Sequence, residues 1–323
     1  MLEILLPLIL ALGLSSSLIL FLLRAPFLAQ VLDQPNARSL HVAPTPRFGG
    51  FVIIVAILVS WSLAGITDWP ISTCMAVLAI LSLLDDVKGL NVGWRFLGHT
   101  SAAVAFLLML PLPLHILLLV PVILAMVWMI NLYNFMDGSD GLAGGMALFG
   151  FGAYAVSASL AGDKTLMLQS AVVAAASLGF LWFNFHPARI FMGDVGSIPL
   201  GFLAAALGLL GLQHGDWPLW FPILVFSPFI VDATVTLLKR LLRREKIWQA
   251  HRSHYYQRLV QMGWGHRKTA IAEYVLMLAA GGSAVFLLHQ SILMVLFILM
   301  LWVLVYAVVM WLIDRLWTAH VRI

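Results

Sequence analysis

The sequence predicts an all-α, polytopic membrane protein of about eleven transmembrane helices with its active site on the cytoplasmic face. Three observations carry that expectation. Hydrophobic residues make up 62% of the 323 and charged residues only 10%, with a mean hydropathy of +1.01, far from the composition of a soluble domain. Apolar runs of about 15–23 residues recur along the chain, each long enough to cross hydrocarbon as a helix with its backbone groups paired internally. The Lys and Arg residues lie almost wholly in alternate loops.

Taken in order, the runs cover approximately 1–23, 48–66, 70–84, 96–110, 112–133, 141–161, 166–184, 196–213, 217–238, 270–289 and 291–312. The first has no basic leader and no small-residue cleavage site, so it reads as a retained helix rather than a signal peptide. With Met1 outside, every Lys and Arg except Lys164 falls in an inside loop or in the C-terminal tail. The expected topology is therefore multi-pass in the bacterial cytoplasmic (inner) membrane, N-terminus outside and C-terminus cytoplasmic. It forms one domain, 1–323, with a basic cytoplasmic loop at 239–269 inside it. The net charge of +4 follows from this asymmetry; it calls for the lipid bilayer as partner and for no nucleic acid. Cys74, the one cysteine, reads as apolar filler. Trp61, Trp69, Trp217, Trp302 and Trp311 stand near predicted helix ends and read as an interfacial belt. His115, His214 and His289 are assigned no acidic partners and read as bystanders.

Against this background the acidic stretches need a reason. Asn131-Leu-Tyr-Asn134-Phe-Met-Asp137-Gly138-Ser-Asp140-Gly141-Leu-Ala-Gly-Gly145 sets two carboxylates, two carboxamides and four glycines between two apolar runs. Ionisable groups at the end of a membrane segment cost free energy unless they bind something. Capping would explain one polar side chain, whereas here four recur at spacings of three. The carboxamide oxygens of Asn131 and Asn134 suit Mg²⁺ as hard ligands, or a nucleotide base as partners. Asp85-Asp86 sit at the C-terminal end of the third run, where the helix dipole and their mutual repulsion are both unfavourable; a divalent cation or a cationic partner would reverse the sign, and neutralisation by Lys88 without a metal is the structural alternative. Asp194 precedes a predicted helix whose first turn is Gly196-Ser197, so its carboxylate suits a metal and the free N–H groups an anion.

Two inside segments add basic groups. In Asp33-Gln-Pro-Asn-Ala-Arg38-Ser-Leu-His41-Val-Ala-Pro-Thr45-Pro-Arg47-Phe-Gly49-Gly50, prolines break any helix. Arg38, His41, Thr45 and Arg47 suit a phosphate, with the glycines allowing close approach; a headgroup-touching linker is the plainer account. The longest inside segment contains His251-Arg252-Ser-His254-Tyr-Tyr-Gln257-Arg258-Leu, in which a basic surface is the plainer account of the arginines while the two histidines suit a polar pocket. Asp232 stands near the inside end of the ninth run, as a structural acceptor or a site group. Several carboxylates and basic residues from separate loops, all on one face, suit Mg²⁺-assisted phosphoryl transfer.

The set Asp85-Asp86, Asn131-x-x-Asn134-x-x-Asp137-Gly-x-Asp140-Gly-Leu-Ala and Phe191-Met-Gly-Asp194-x-Gly-Ser197 resembles the polyprenyl-phosphate N-acetylhexosamine-1-phosphate transferases (glycosyltransferase family 4) over nearly the whole chain. The His251–Arg258 segment is most similar to O-antigen-initiating, WbpL-type members, although Tyr256 and Gln257 stand where many relatives carry two histidines. The resemblance implies attack by undecaprenyl phosphate on a UDP-N-acetylhexosamine, of the UDP-GlcNAc or UDP-FucNAc kind, releasing UMP. It further implies Mg²⁺, with Mn²⁺ as a substitute, on Asp194 and Asn134. Asp85, Asp86 and Asp194 would be catalytic, and Asp137, Asp140 and Asn131 would meet the nucleotide end. Arg47, Thr45 and His41 would meet the lipid phosphate, and His251, Arg252, His254 and Arg258 the amino sugar. A homodimer is allowed. A phosphate monoester has a second pKa of about 6, so the acceptor needs little base catalysis. Direct attack is therefore expected, with Asp85 acting by position and electrostatics.

Two other classes are weighed. A cation-coupled transporter predicts acids at mid-membrane and an internal repeat, and the sequence shows neither. A CDP-alcohol phosphotransferase also uses Mg²⁺ carboxylates, but its Asp-Gly, Ala-Arg and paired-aspartate signature does not match Asp137–Gly145.

Overall fold

A computed structural model describes residues 2–24, 32–34, 40, 44–110, 116–246, 249 and 251–321. Among them the helices are α1 (Leu2–Leu23), α2 (Gly49–Leu63), α3 (Trp69–Lys88), α4 (Val92–Met109), α5 (Ile116–Phe135), α6 (Leu142–Ala161), α7 (Lys164–Asn184), α8 (Asp194–His214), α9 (Trp220–Val225), α10 (Ser227–Leu242), α11 (Tyr255–Leu259), α12 (Gly265–Leu287) and α13 (Ile292–Val321). A π-helical turn, Val260–Trp264, joins α11 to α12. Nine helical stretches among the described residues are long and apolar enough to cross a membrane. The chain is an all-α polytopic membrane protein.

The other two expected crossings are special cases. The second, α2, has only 15 residues. The ninth is divided between α9 and α10 at Phe226, because Pro228 supplies no N–H and its ring obstructs the turn before it. The Ser227 hydroxyl satisfies the break: it donates to Leu224 O at 2.6 Å and stands 2.6 Å from the Tyr306 hydroxyl of α13. The eleventh run extends past its expected end at 312, so that Asp314 belongs to α13.

Around α8 the bundle is assembled. Every residue from Val195 to Ala204 is buried, and α2, α3, α5, α6, α7 and α9 all pack against it. Two helices made of apolar residues gain nothing from lipid avoidance, so close packing of small residues must hold them together. Gly50 of α2 meets Gly196 of α8 so tightly that a Cβ on Gly50 would stand 2.3 Å from Gly196 N. The outermost element is α13, whose buried side chains are Val295, Tyr306 and Ile313.

The Arg24–Gly50 segment was expected to be irregular, but it contains a short antiparallel ladder. β1 (Leu32–Asp33) pairs with β2 (Thr45–Pro46), Leu32 opposite Pro46 and Asp33 opposite Thr45. The interfacial-belt expectation fails for two tryptophans. Trp61 and Trp217 are buried, and their indole N–H groups donate to Gln169 O (3.2 Å) and Gly208 O (3.0 Å). A buried indole needs such an acceptor, and a neighbouring helix supplies one in the first case.

Candidate active site

The end of α3 places the first two acids. Gly89, in the left-handed region at φ 63°, stops the helix and donates to Asp85 O at 2.8 Å. The Asp85 carboxylate then accepts Leu90 N at 2.7 Å. In the first turn of α4, Arg95 reaches back: its Nε lies 3.3 Å from Asp85 Oδ2 and its Nη2 3.2 Å from Asp194 Oδ2. Arg47, just after β2, reaches Asp86 Oδ1 at 2.5 Å and Asp33 Oδ1 at 3.9 Å. Two guanidiniums thus tie together acids from loops far apart in sequence. All of these side chains remain partly open to solvent.

The turn between α5 and α6 closes the same centre from below. Asn134 Oδ1 accepts the Ser197 hydroxyl at 2.7 Å, and its side chain also bonds to Asp194. Asp137 Oδ2 accepts Gly193 N at 3.1 Å, and Gly193 takes φ 71°, a conformation open to glycine at little cost. Burial and then the nearby Asp194 push the Asp137 carboxyl well above the usual carboxylate range, with the Gly193 N–H and Arg47 offsetting this in part. Asn131 turns along its own helix and donates to Val127 O at 2.7 Å.

Asp140 is engaged elsewhere. Its Oδ2 takes His186 Nδ1 at 2.7 Å and Ala188 N at 3.2 Å, and its Oδ1 lies 3.8 Å from His266 Nδ1. The two imidazoles stack at 5.5 Å, and Ser139 Oγ stands 2.9 Å from His266 Nδ1. Asp140 therefore joins the α5–α6 turn to the α7–α8 loop and to the start of α12.

The phosphate-cradle expectations for glycine N–H groups are corrected. Gly49 N and Gly50 N donate to Phe191 O and Met192 O, each at 2.9 Å, while Gly196 N and Ser197 N both bond to Gly193 O. These donors are spent on backbone, and the glycines serve packing instead. Thr45 is buried in the ladder, and His41 and Arg38 lie outside the described residues.

The 251–258 segment divides. His251 is half-buried with its Nδ1 2.9 Å from Ser253 Oγ, and Arg252 is exposed. His254 and Arg258 are buried. His254 Nδ1 pairs with Asp232 Oδ1 at 3.1 Å, while Arg258 donates to Ser253 O (2.8 Å) and Asp314 (2.8 Å) and covers the Tyr255 ring. Both side chains are thus turned into the protein, where they hold the loop. Asp232 anchors it further, accepting Tyr255 N and Tyr256 N at 3.0 Å each at the start of α11. Tyr256 in turn donates to Phe135 O at 3.0 Å and leaves no room for a side chain at Gly138.

Sequence reasoning missed Arg95 as a site residue, along with His186 and His266. Arg95 carried one signal, an arginine in the first turn after an acidic pair. The histidines carried none, because their partner Asp140 comes from another loop.

Among the described residues, the cations that meet Asp85, Asp86 and Asp194 are Arg47 and Arg95, and with Asp33 and Asp137 close by, carboxyl groups outnumber guanidiniums in the centre. A divalent cation fits that excess, and Asp194 and Asn134, side by side, could each offer it a hard oxygen.

Comparison with known proteins gives the family. The sequence model described as glycosyl transferase family 4 matches residues 69–212, which include Asp85, Asn134, Asp137 and Asp194. The chain is 32% identical over 295 residues to the "Probable undecaprenyl-phosphate N-acetylglucosaminyl 1-phosphate transferase" of Bacillus subtilis, covering 83% of this chain and 80% of the relative. It is 28% identical over 297 residues to the decaprenyl-phosphate N-acetylglucosaminephosphotransferase of Mycobacterium leprae, covering 76% and 74%. It is 32% identical over 225 residues to the phospho-N-acetylmuramoyl-pentapeptide-transferase of Lactiplantibacillus plantarum, covering 60% and 68%. These matches place the protein, a helical membrane bundle with an acid- and arginine-lined centre, among the membrane-embedded transferases. The chain belongs to glycosyl transferase family 4, the polyprenyl-phosphate hexosamine-1-phosphate transferases.

Proposed function

We propose that the protein transfers N-acetylhexosamine-1-phosphate from a UDP-sugar to undecaprenyl phosphate, releasing UMP, at a centre facing the cytoplasm. The observation that carries this reading is the bridging of Asp85 and Asp194 by Arg95 beside Asn134, with Arg47 on Asp86. Mg²⁺, held by Asp194 and Asn134, would supply charge neutralisation on the diphosphate when bound. Arg47 and Arg95 are suited to the phosphoryl oxygens of donor and acceptor, since a planar guanidinium can pair with two oxygens at once. Asp137, tied to Gly193 N, keeps the α8 start fixed under the transferred group. Asp85 has one oxygen on Leu90 N and the other beside Arg95. That engagement supports an orienting role over proton abstraction, in keeping with an acceptor phosphate already largely dianionic near neutral pH.

The donor proposed is UDP-GlcNAc, because two of the relatives above are named for N-acetylglucosamine transfer. The resemblance of His251–Arg258 supports an O-antigen chain as the product's destination. Inside orientation rests on the placement of every Lys and Arg but Lys164. The test is purified protein with undecaprenyl phosphate and a panel of UDP-sugars, scored for UMP release with and without Mg²⁺. Release with UDP-GlcNAc that requires both lipid phosphate and Mg²⁺ is expected. UMP release without the lipid, or CMP release from a CDP-alcohol in place of UMP release from UDP-sugars, would overturn the reading.

A further inference from the structure

The end of the bundle opposite the transferase centre carries a second constellation. Asp163 caps α7, its Oδ1 accepting Leu166 N at 2.9 Å. Its Oδ2 lies 2.7 Å from Nδ1 of His214, the last residue of α8. The chain turns at Gly215 and brings in Asp216, and one ligand atom from each of the three residues lies within 4.8 Å of the others. Since α8 carries Asp194 at its first residue, the two centres stand roughly 30 Å apart along one helix.

An ordinary account covers only part of this. Asp163 serves as a cap, and a histidine at a helix C-terminus meets the negative end of the dipole. Asp216 is less well served: it is half-buried, its side-chain hydrogen bond goes to another carboxyl, that of Asp163, and its Oδ2, shut off from solvent, has no partner. Two carboxyl groups that face each other beside one imidazole repel unless a cation or a proton lies between them. A separate observation points into the same space. His214, Asp216 and His289 line a cavity of about 600 Å³, and so does Ser157 of α6, which is fully buried with a hydroxyl that has no partner.

We infer that Asp163, His214 and Asp216 form a divalent-cation site of the mixed imidazole–carboxylate type, distinct from the transferase centre. One nitrogen and two carboxylate oxygens suit Zn²⁺ or a similar first-row ion, whereas Mg²⁺ and Ca²⁺ favour all-oxygen sets. Three protein ligands leave a fourth position toward the cavity, where Ser157 can hold a metal-bound water. The ion links the α6–α7 turn to the α8–α9 turn, so its effect falls on the stability of the bundle rather than on phosphoryl transfer.

The experiment uses the full chain purified in detergent, stripped with a chelator and titrated with Zn²⁺ in excess Mg²⁺. Elemental analysis and thermal unfolding are read together. One Zn²⁺ per chain and a higher melting temperature are expected. Asp216→Asn and His214→Gln should each weaken binding by at least about tenfold, Ser157→Ala should weaken it less, and Asp194→Asn should leave it unchanged. Uptake by the wild type no greater than by the His214→Gln, Asp216→Asn double variant would overturn the site. So would loss of the Zn²⁺ in Asp194→Asn, which would assign the ion to the transferase centre.

Discussion

One guanidinium, that of Arg95, holds two carboxylates from different loops, and the consequences of changing these three residues differ. Asp194→Asn removes the acid nearest Asn134 while keeping its shape. Turnover should fall by about 10³-fold or more, while the melting temperature holds, because the change also relieves repulsion with Asp137. UMP release and thermal unfolding on one preparation check both parts. Arg95→Lys keeps the charge but loses the planar fork, so about a hundredfold loss of rate is expected. Asp85→Asn should cost less than Asp194→Asn, since its engaged oxygens orient rather than react. Incubation with radiolabelled UDP-sugar alone should leave no label on the protein; a sugar-phosphorylated enzyme would refute direct attack.

At the scale of elements, the 251–258 loop depends on Asp232. This buried carboxylate accepts Thr236 Oγ1, His254 Nδ1, Tyr255 N and Tyr256 N. Truncation would leave the loop's donors unpaired away from water, so Asp232→Ala should cost about 3 kcal/mol or more. The loop should also become a preferred site of protease cleavage between 239 and 254. Asp314 makes the second tether: it pairs with both Lys239 and Arg258. Arg258→Ala should therefore raise KM for the donor sugar more than it lowers kcat, because the exposed Arg252 and half-buried His251 lose their fixed position. An equal fall in kcat with KM unchanged would argue for direct contact with the reacting group.

For the molecule as a whole, the centre exists because α8 passes through the middle of the bundle and delivers Asp194 to one end. Its register against α2 depends on the Gly50–Gly196 contact. A Gly50→Val substitution should wedge the two helices apart, lower the melting temperature and reduce activity through displacement of Asp194 from Arg95. A variant that loses activity with an unchanged melting temperature would show that α2 does not set that register.

Composition and spacing were enough to determine that this chain is a helical membrane bundle with acidic motifs at helix ends, because crossing hydrocarbon dictates run length and makes unexplained charge conspicuous. Asp85, Asp86, Asn134, Asp137 and Asp194 were legible for that reason. Partner choice was not. That Asp140 meets His186, that Arg258 meets Asp314 and that His214 is bonded to Asp163 follow from contacts between distant loops. Only tertiary structure decides those contacts: helices apolar on every side bear no mark of which face turns inward, so no local pattern records which loops will meet.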